Sequence, residues 1–226
     1  MSVLRSLAFY LLFYFISALL VIAAVVAMSI SKEAVRKVVE LWSAWHRWCV
    51  TRLLGIEVVL EGAPSEGPVL YAMKHESFFE AIDAPTLLRL PSVFAKRELF
   101  QIPGWGRAAL FYGLLPVARE EGAKALRRMI VSAKEKVDDG RPLVIFPEGT
   151  RVPHNTKPRM QAGFAGLYKM LRLPVVPVAV DSGPLYHRLW KRSGTITYRF
   201  GEQIPPGLPR DEVEARVHAA MNALNE

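Results

Sequence analysis

The chain has 226 residues, enough for one domain of catalytic size with an appendage. Apolar residues make up 51% of it, which excludes a disordered or low-complexity chain, and its one cysteine, Cys49, excludes both an internal disulfide framework and a cysteine-built zinc site. A net charge of +8 and a pI near 9.7 fit an anionic partner without choosing between nucleic acid, anionic lipid and a phosphorylated substrate.

The N-terminus makes that choice. No charged residue falls between Arg5 and Lys32, and the stretch is dominated by Leu, Phe, Ile, Val and Ala. An apolar helix of about 20 residues crosses a bilayer, and signal-peptide apolar regions are shorter, about 7–15 residues. The expectation is a retained membrane segment, either spanning or dipping into one leaflet. Residues 32–54 follow as an amphipathic helix, with Val35, Val38, Val39, Trp42, Trp45, Cys49 and Leu53 on one stripe and Arg36, Lys37, His46, Arg47 and Arg52 around it. Three tryptophans beside basic groups suit a headgroup layer, and a face packed on the domain core suits the same stripe. The excess of Lys and Arg after the apolar run places the main domain on the cytoplasmic side of a membrane, taken to be a bacterial inner membrane. The chain divides at residue 54, into anchoring and interfacial helices (1–54) and a catalytic domain (55–226).

Beyond that boundary, strands are expected at 55–62, 69–73, 92–95, 114–118, 142–146, 175–180 and 195–200. Helices are expected at 81–90, 103–112, 121–139, 161–171 and 211–224. The alternation predicts an α/β fold with a mixed, largely parallel sheet flanked by helices, preceded by the membrane-associated helical segment. In such sheets ligands gather beyond the carboxyl ends of strands.

Two apolar strands deliver chemistry-bearing residues to that edge. His75 follows residues 69–73, and Glu80 comes five positions later; if residues 77–90 begin the helix, Glu80 lies about one turn in, from where a carboxylate reaches back to one ring nitrogen and raises the basicity of the other. Asp83 is a rival for that orienting role. After residues 142–146 comes Phe146-Pro147-Glu148-Gly149-Thr150-Arg151, a tight turn whose arginine offers a fork of donors to a phosphate. Lys157 and Arg159 extend the basic loop. A third stretch, Lys96 to Gly106, begins with the adjacent cations Lys96 and Arg97, suited either to a second anionic group or to solvent.

Together these stretches resemble the glycerolipid acyltransferase family, in particular the 1-acylglycerol-3-phosphate acyltransferases. His75 to Glu80 looks like the family's His-x4-Asp motif, Lys96 to Gly106 like Lys-x-x-Leu-x-x-x-Pro-x-x-Gly, Phe146 to Arg151 like Phe-Pro-Glu-Gly-Thr-Arg, and Val175-Val176-Pro177-Val178 like its hydrophobic proline motif. Two positions depart from the pattern: Glu80 stands where the family has aspartate, and Lys74 precedes the histidine. The resemblance implies transfer of an acyl group from a thioester, acyl-CoA or acyl-ACP, to the sn-2 hydroxyl of a membrane lysophospholipid, with His75 as general base and Glu80 orienting it. It implies that Glu148, Gly149, Thr150 and Arg151 hold the glycerol phosphate, with Lys96 and Arg97 adding contacts. No covalent intermediate is required, Ser77 being the nearest candidate nucleophile. No metal or other cofactor is expected, since His46, His75, His154, His187 and His218 lack ligand spacing. Nucleic acid is not an expected partner, because the aromatics cluster in the N-terminal segment rather than among the later basic residues. Other lysolipid acceptors, such as a lyso-ornithine lipid, and a non-catalytic lipid-binding role are the alternative readings.

Overall fold

The structure, a computed structural model, describes residues 2–118 and 122–225. Seven strands form one sheet: β1 (Ile56–Glu61), β2 (Leu70–Met73), β3 (Ser92–Lys96), β4 (Leu115–Val117), β5 (Leu143–Ile145), β6 (Val175–Val180) and β7 (Gly194–Phe200). Their spatial order is β1-β7-β6-β2-β5-β3-β4. Every neighbouring pair is parallel except β6 and β7, so the mixed, largely parallel sheet is as expected. The central strands read as unbroken apolar runs because both faces are covered: all four residues of β2 and all six of β6 are buried. β6 accommodates Pro177 because the carbonyl of Pro177 takes the Gly201 N–H (2.8 Å) just past the end of β7. The missing donor of the proline therefore faces the point where the neighbouring strand stops.

Eight helices surround the sheet among the described residues: α1 (Ser2–Ala27), α2 (Lys32–Arg52), α3 (Phe79–Leu87), α4 (Trp105–Tyr112), α5 (Ala123–Asp138), α6 (Ala162–Leu171), α7 (Gly183–Tyr186) and α8 (Arg210–Met221). The expected helix start at Glu121 lies outside the described residues, as does the side chain of Ala125. Two elements have no counterpart in the sequence reading, the single turn α7 and a 3₁₀ turn over Arg97–Gln101. α3 starts earlier than expected and stops at Leu87 rather than 90. Pro85 within it supplies no N–H, and Leu88 is already extended on the approach to Pro91.

α1 does not stand away from the rest of the chain. Near its start the Ser6 hydroxyl accepts the Lys191 N–H (2.9 Å) and the Tyr10 hydroxyl donates to the Leu189 carbonyl (2.6 Å). Midway, the Trp42 indole N–H donates to Ser17 (2.9 Å), and at the far end Ala27 joins a cluster with Val35 and Tyr112. Phe9 and Phe13 are buried with Cys49, Val50, Tyr71, Met73 and Val176, so the main core crosses the boundary at residue 54.

α2 is capped by Ser31, whose side chain accepts the Ala34 N–H (3.0 Å). Two of its residues expected among the surface cations are not there. His46 is fully buried, with Nε2 2.8 Å from the Tyr186 hydroxyl. Burial pushes its pKa down to about 3, and the charges of Arg47 and Lys191 act in the same direction, so it is neutral. Arg47 turns inward and makes a two-pronged ion pair with Asp83 on α3.

Candidate active site

The register of the sheet brings the separate motifs together. β2 pairs with β5 so that Ala72 lies beside Ile145, and with β6 so that Met73 lies beside Val178. β3 follows on the far side of β5. His75, Phe146 to Arg151, Lys96 and residues 181–183 therefore leave four adjacent strands at the same edge.

The His75 Nδ1 atom lies 3.1 Å from Glu80 Oε1. That oxygen also accepts the backbone N–H groups of Glu76 (2.5 Å) and Ser77 (2.8 Å), while Oε2 accepts the hydroxyls of Ser77 (3.0 Å) and Ser182 (2.8 Å). Glu80 is completely buried and sits in the first turn of α3, where the helix dipole favours negative charge. Burial works to raise its pKa, but the bond and charge of His75, the Ser77 N–H and the Ser182 hydroxyl outweigh it, holding the carboxyl below the ordinary value. A carboxylate with five donors is locked in position, and it fixes the imidazole with Nε2 left for chemistry. On one face the ring stacks on Phe146, with centroids 4.1 Å apart.

Asp83 does not compete for His75. Its oxygens are held by Arg47 and the Tyr198 hydroxyl (3.1 Å). Ser77 is likewise committed: its hydroxyl is buried between Glu80 and Ser182 (2.7 Å) and accepts the Phe79 N–H (3.0 Å), which leaves no path for a nucleophilic role.

A largely apolar cavity of about 880 Å³ opens beside His75. Leu20, Val21 and Ala24 of α1 and Val38, Val39 and Trp42 of α2 form one wall. Leu126, Met129 and Phe164 line its inner part, while Lys96, Gly149, Thr150 and Arg151 add its polar lining. The Arg151 guanidinium lies over the Phe78 ring, 3.9 Å from its centroid. Gly149 has φ +75°, a conformation that a side chain would strain, and this lets the turn bring its backbone to the cavity wall. Gly106, at the end of the Lys96 stretch, sits where an added Cβ would come within 2.0 Å of the Phe100 carbonyl oxygen. Only glycine lets the 3₁₀ turn fold back on α4.

Two of the expected substrate contacts are placed elsewhere. Glu148 is buried and outside the cavity lining, with Oε1 2.7 Å from Lys74 Nζ and Oε2 accepting the His75 N–H (2.9 Å). Arg97 is exposed and also outside the lining. The sequence reading missed Ser182, Lys74 and Glu76. Glu76 takes the Gly183 N–H (2.8 Å) and lies 2.9 Å from His154 Nδ1. Only the departure at Lys74 was a visible signal; Ser182 comes from a loop a hundred residues away.

The acyltransferase family model matches residues 55–181, over half of the chain, and all four motifs fall within it. The chain belongs to the acyltransferase family. This acyltransferase is 28% identical over 193 residues to the 1-acyl-sn-glycerol-3-phosphate acyltransferase of Pseudomonas aeruginosa, covering 84% of this chain and 73% of that protein. It is 34% identical over 108 residues to the Helicobacter pylori enzyme of the same name, covering 46% and 44% of the two. The crystal structure of the 1-acyl-sn-glycerophosphate acyltransferase PlsC from Thermotoga maritima superposes with a TM-score of 0.76 over 99% of this chain and 98% of that one, at 23% identity. At that identity the superposition establishes the shared fold of this acyltransferase.

Proposed function

We propose that this acyltransferase moves a fatty acyl group from a thioester, acyl-CoA or acyl-ACP, to the free sn-2 hydroxyl of 1-acylglycerol-3-phosphate, giving phosphatidic acid. The observation that carries this reading is the His75–Glu80 pair at the wall of an apolar cavity that also presents Arg151 and Lys96. The names of the curated relatives support the acceptor.

In this mechanism His75 Nε2 takes the proton of the acceptor hydroxyl as that oxygen attacks the thioester carbonyl. Glu80 keeps the Nδ1 proton in place and stabilises the imidazolium that forms. The tetrahedral intermediate collapses with departure of the thiolate, to which His75 returns the proton. The lipid tail occupies the apolar cavity, and the Arg151 fork with the Lys96 charge holds the phosphate. Residues 1–54 serve as the anchor. Since α1 is hydrogen-bonded to the rest of the chain near its start and packed against it at its far end, its free face enters one leaflet of the cytoplasmic side while its inner face walls the cavity. The acceptor then reaches His75 from the bilayer.

The test is a lipid-product analysis with a panel of lysolipids and both donor types. Phosphatidic acid is expected, and His75→Ala should lower kcat by about a thousandfold, within the range a general base supplies. A product from lyso-ornithine lipid but none from lysophosphatidic acid would move the acceptor assignment. Turnover in the alanine variant close to wild type would remove the general base.

A further inference from the structure

Lys74 is the last residue before the histidine, and its side chain is completely buried. An ammonium has three donors, and here three acceptors surround it, each at 2.7 Å: Glu148 Oε1, the side-chain oxygen of Asn222 and the Thr156 carbonyl. Asn222 is itself held by its N–H bond to the His218 carbonyl (2.7 Å). Lys74 therefore ties together pieces of chain that are far apart in the sequence: the end of β2, the turn before Arg151 and the loop after it, and the end of α8. Its charge also permits a carboxylate at Glu148 in a buried place, where burial raises the pKa against the bonds from Lys74 and His75. The second oxygen of Glu148 accepts the backbone N–H of His75 (2.9 Å), and the His75 carbonyl takes the Val152 N–H (2.8 Å). The peptide groups on either side of the imidazole are thus fixed by the turn that also carries Arg151.

We propose that Lys74 and Glu148 act as one positioning pair, setting the backbone on which His75 stands, and that Glu148 does not touch the acceptor. Its two carboxylate oxygens face Lys74 and the His75 N–H, and the residue lies outside the cavity lining, so it is turned away from an acceptor held there. The phosphate falls to Arg151 and Lys96. The inference rests on the acyl-transfer reading for its acceptor, but not for the pair itself.

Lys74→Met keeps the side chain unbranched and one atom shorter while removing its charge, Glu148→Gln removes the opposite charge, and the double variant removes both. Steady-state kinetics in the full chain, with thermal unfolding as a check on folding, should give a kcat lowered about a hundredfold in each single variant. That is the loss expected of a small misplacement of a reacting group. The acceptor KM should stay within threefold of wild type. The double variant, with no buried charge left unpaired, should recover kcat at least tenfold over Lys74→Met. Should Lys74→Met fail to fold, Glu148→Gln and the double variant carry the test. A tenfold rise in acceptor KM with kcat retained in Glu148→Gln would overturn the proposal, because it would put the carboxylate on the acceptor. So would a folded double variant no better than either single variant. Absence of turnover in the wild type with every acceptor would count against the proposed function instead, and the pair is then read from the NMR chemical shifts of the His75 ring. Those shifts should move in both single variants as the contact with Glu80 loosens and return towards wild type in the double variant; unchanged shifts in the single variants would overturn the pair.

Discussion

Glu80 is one methylene longer than the aspartate of the family pattern, and the site uses that length. The carboxylate spans from the imidazole and the N–H groups of Glu76 and Ser77 on one side to the hydroxyls of Ser77 and Ser182 on the other. Glu80→Asp restores the family residue but withdraws the carboxylate from one set of partners. It should lower kcat about tenfold or more, the loss of one charge-assisted hydrogen bond. Glu80→Gln, which keeps the length and removes the charge, should be worse by a further factor of ten to a hundred. The check is kcat and KM for both variants and for Asp83→Asn, which should affect unfolding temperature more than kcat because its partners are Arg47 and Tyr198. An aspartate variant as fast as wild type would mean that Ser182 contributes nothing. His75, Glu80 and the turn to Arg151 were legible because each lies within a few residues of an apolar strand end. Ser182 and the inward turn of Glu148 were not legible, because both depend on which strands are neighbours and in what register.

Elements were legible where periodicity was uninterrupted and both ends were punctuated. The sequence places β6 at its observed bounds, since six apolar residues stand between Pro174 and Asp181. It misplaces the end of α3, where Pro85 and Pro91 overrule the apolar pattern. The most consequential gap concerns α2. Its stripe predicts a buried face but not that Ser43 donates to the Ile82 carbonyl (2.8 Å), or that Arg47 binds Asp83, bonds that couple α2 to the helix carrying Glu80. His46, buried on the same helix against Tyr186, makes the inward packing of α2 testable. Its folded-state pKa of about 3 lies below the ordinary 6.5, so the unfolded chain binds the extra proton. The stability it contributes is full above about pH 6.5 and is lost as pH falls towards 3. At about 1.4 kcal/mol per unit, the loss between pH 6.5 and 5 is about 2 kcal/mol. Denaturation in detergent should show that slope in the wild type and a flatter curve in His46→Gln, which keeps a polar partner for Tyr186 but does not titrate in this range. Parallel curves would mean that His46 does not stay neutral in the fold.

Across the whole molecule, the cavity beside His75 shares a wall with the helix that carries the exposed apolar stripe. α1 is long and apolar enough to cross a membrane, yet it lies along the domain with one face buried. The opposite stripe, Leu4, Leu11, Phe15, Ile22 and Val26, recurs at intervals of four and seven and is exposed throughout. Leu41 and Trp48 on α2, and Leu99 and Ile102 beside the cavity, are exposed apolar residues as well. An apolar area of that extent on a chain of net charge +8 fits a seat in an anionic leaflet, with the acceptor entering sideways. Leu11 and Phe15, 72% and 60% exposed, line no part of the cavity. Replacing both with lysine removes two apolar side chains from the lipid, each worth about 1.5–3 kcal/mol. Partitioning into zwitterionic vesicles, where the added lysines gain no attraction, should fall about a hundredfold or more, at 1.4 kcal/mol per decade. Activity on a short-chain acceptor dissolved in detergent should persist, because the catalytic groups and the cavity are untouched. Sedimentation with vesicles reads the first effect and solution turnover the second. If Leu11→Lys/Phe15→Lys binds vesicles as the wild type does, the seat is not the free face of α1; if it binds weakly and also loses detergent turnover, the helix is needed to hold the cavity wall as well as to reach the lipid.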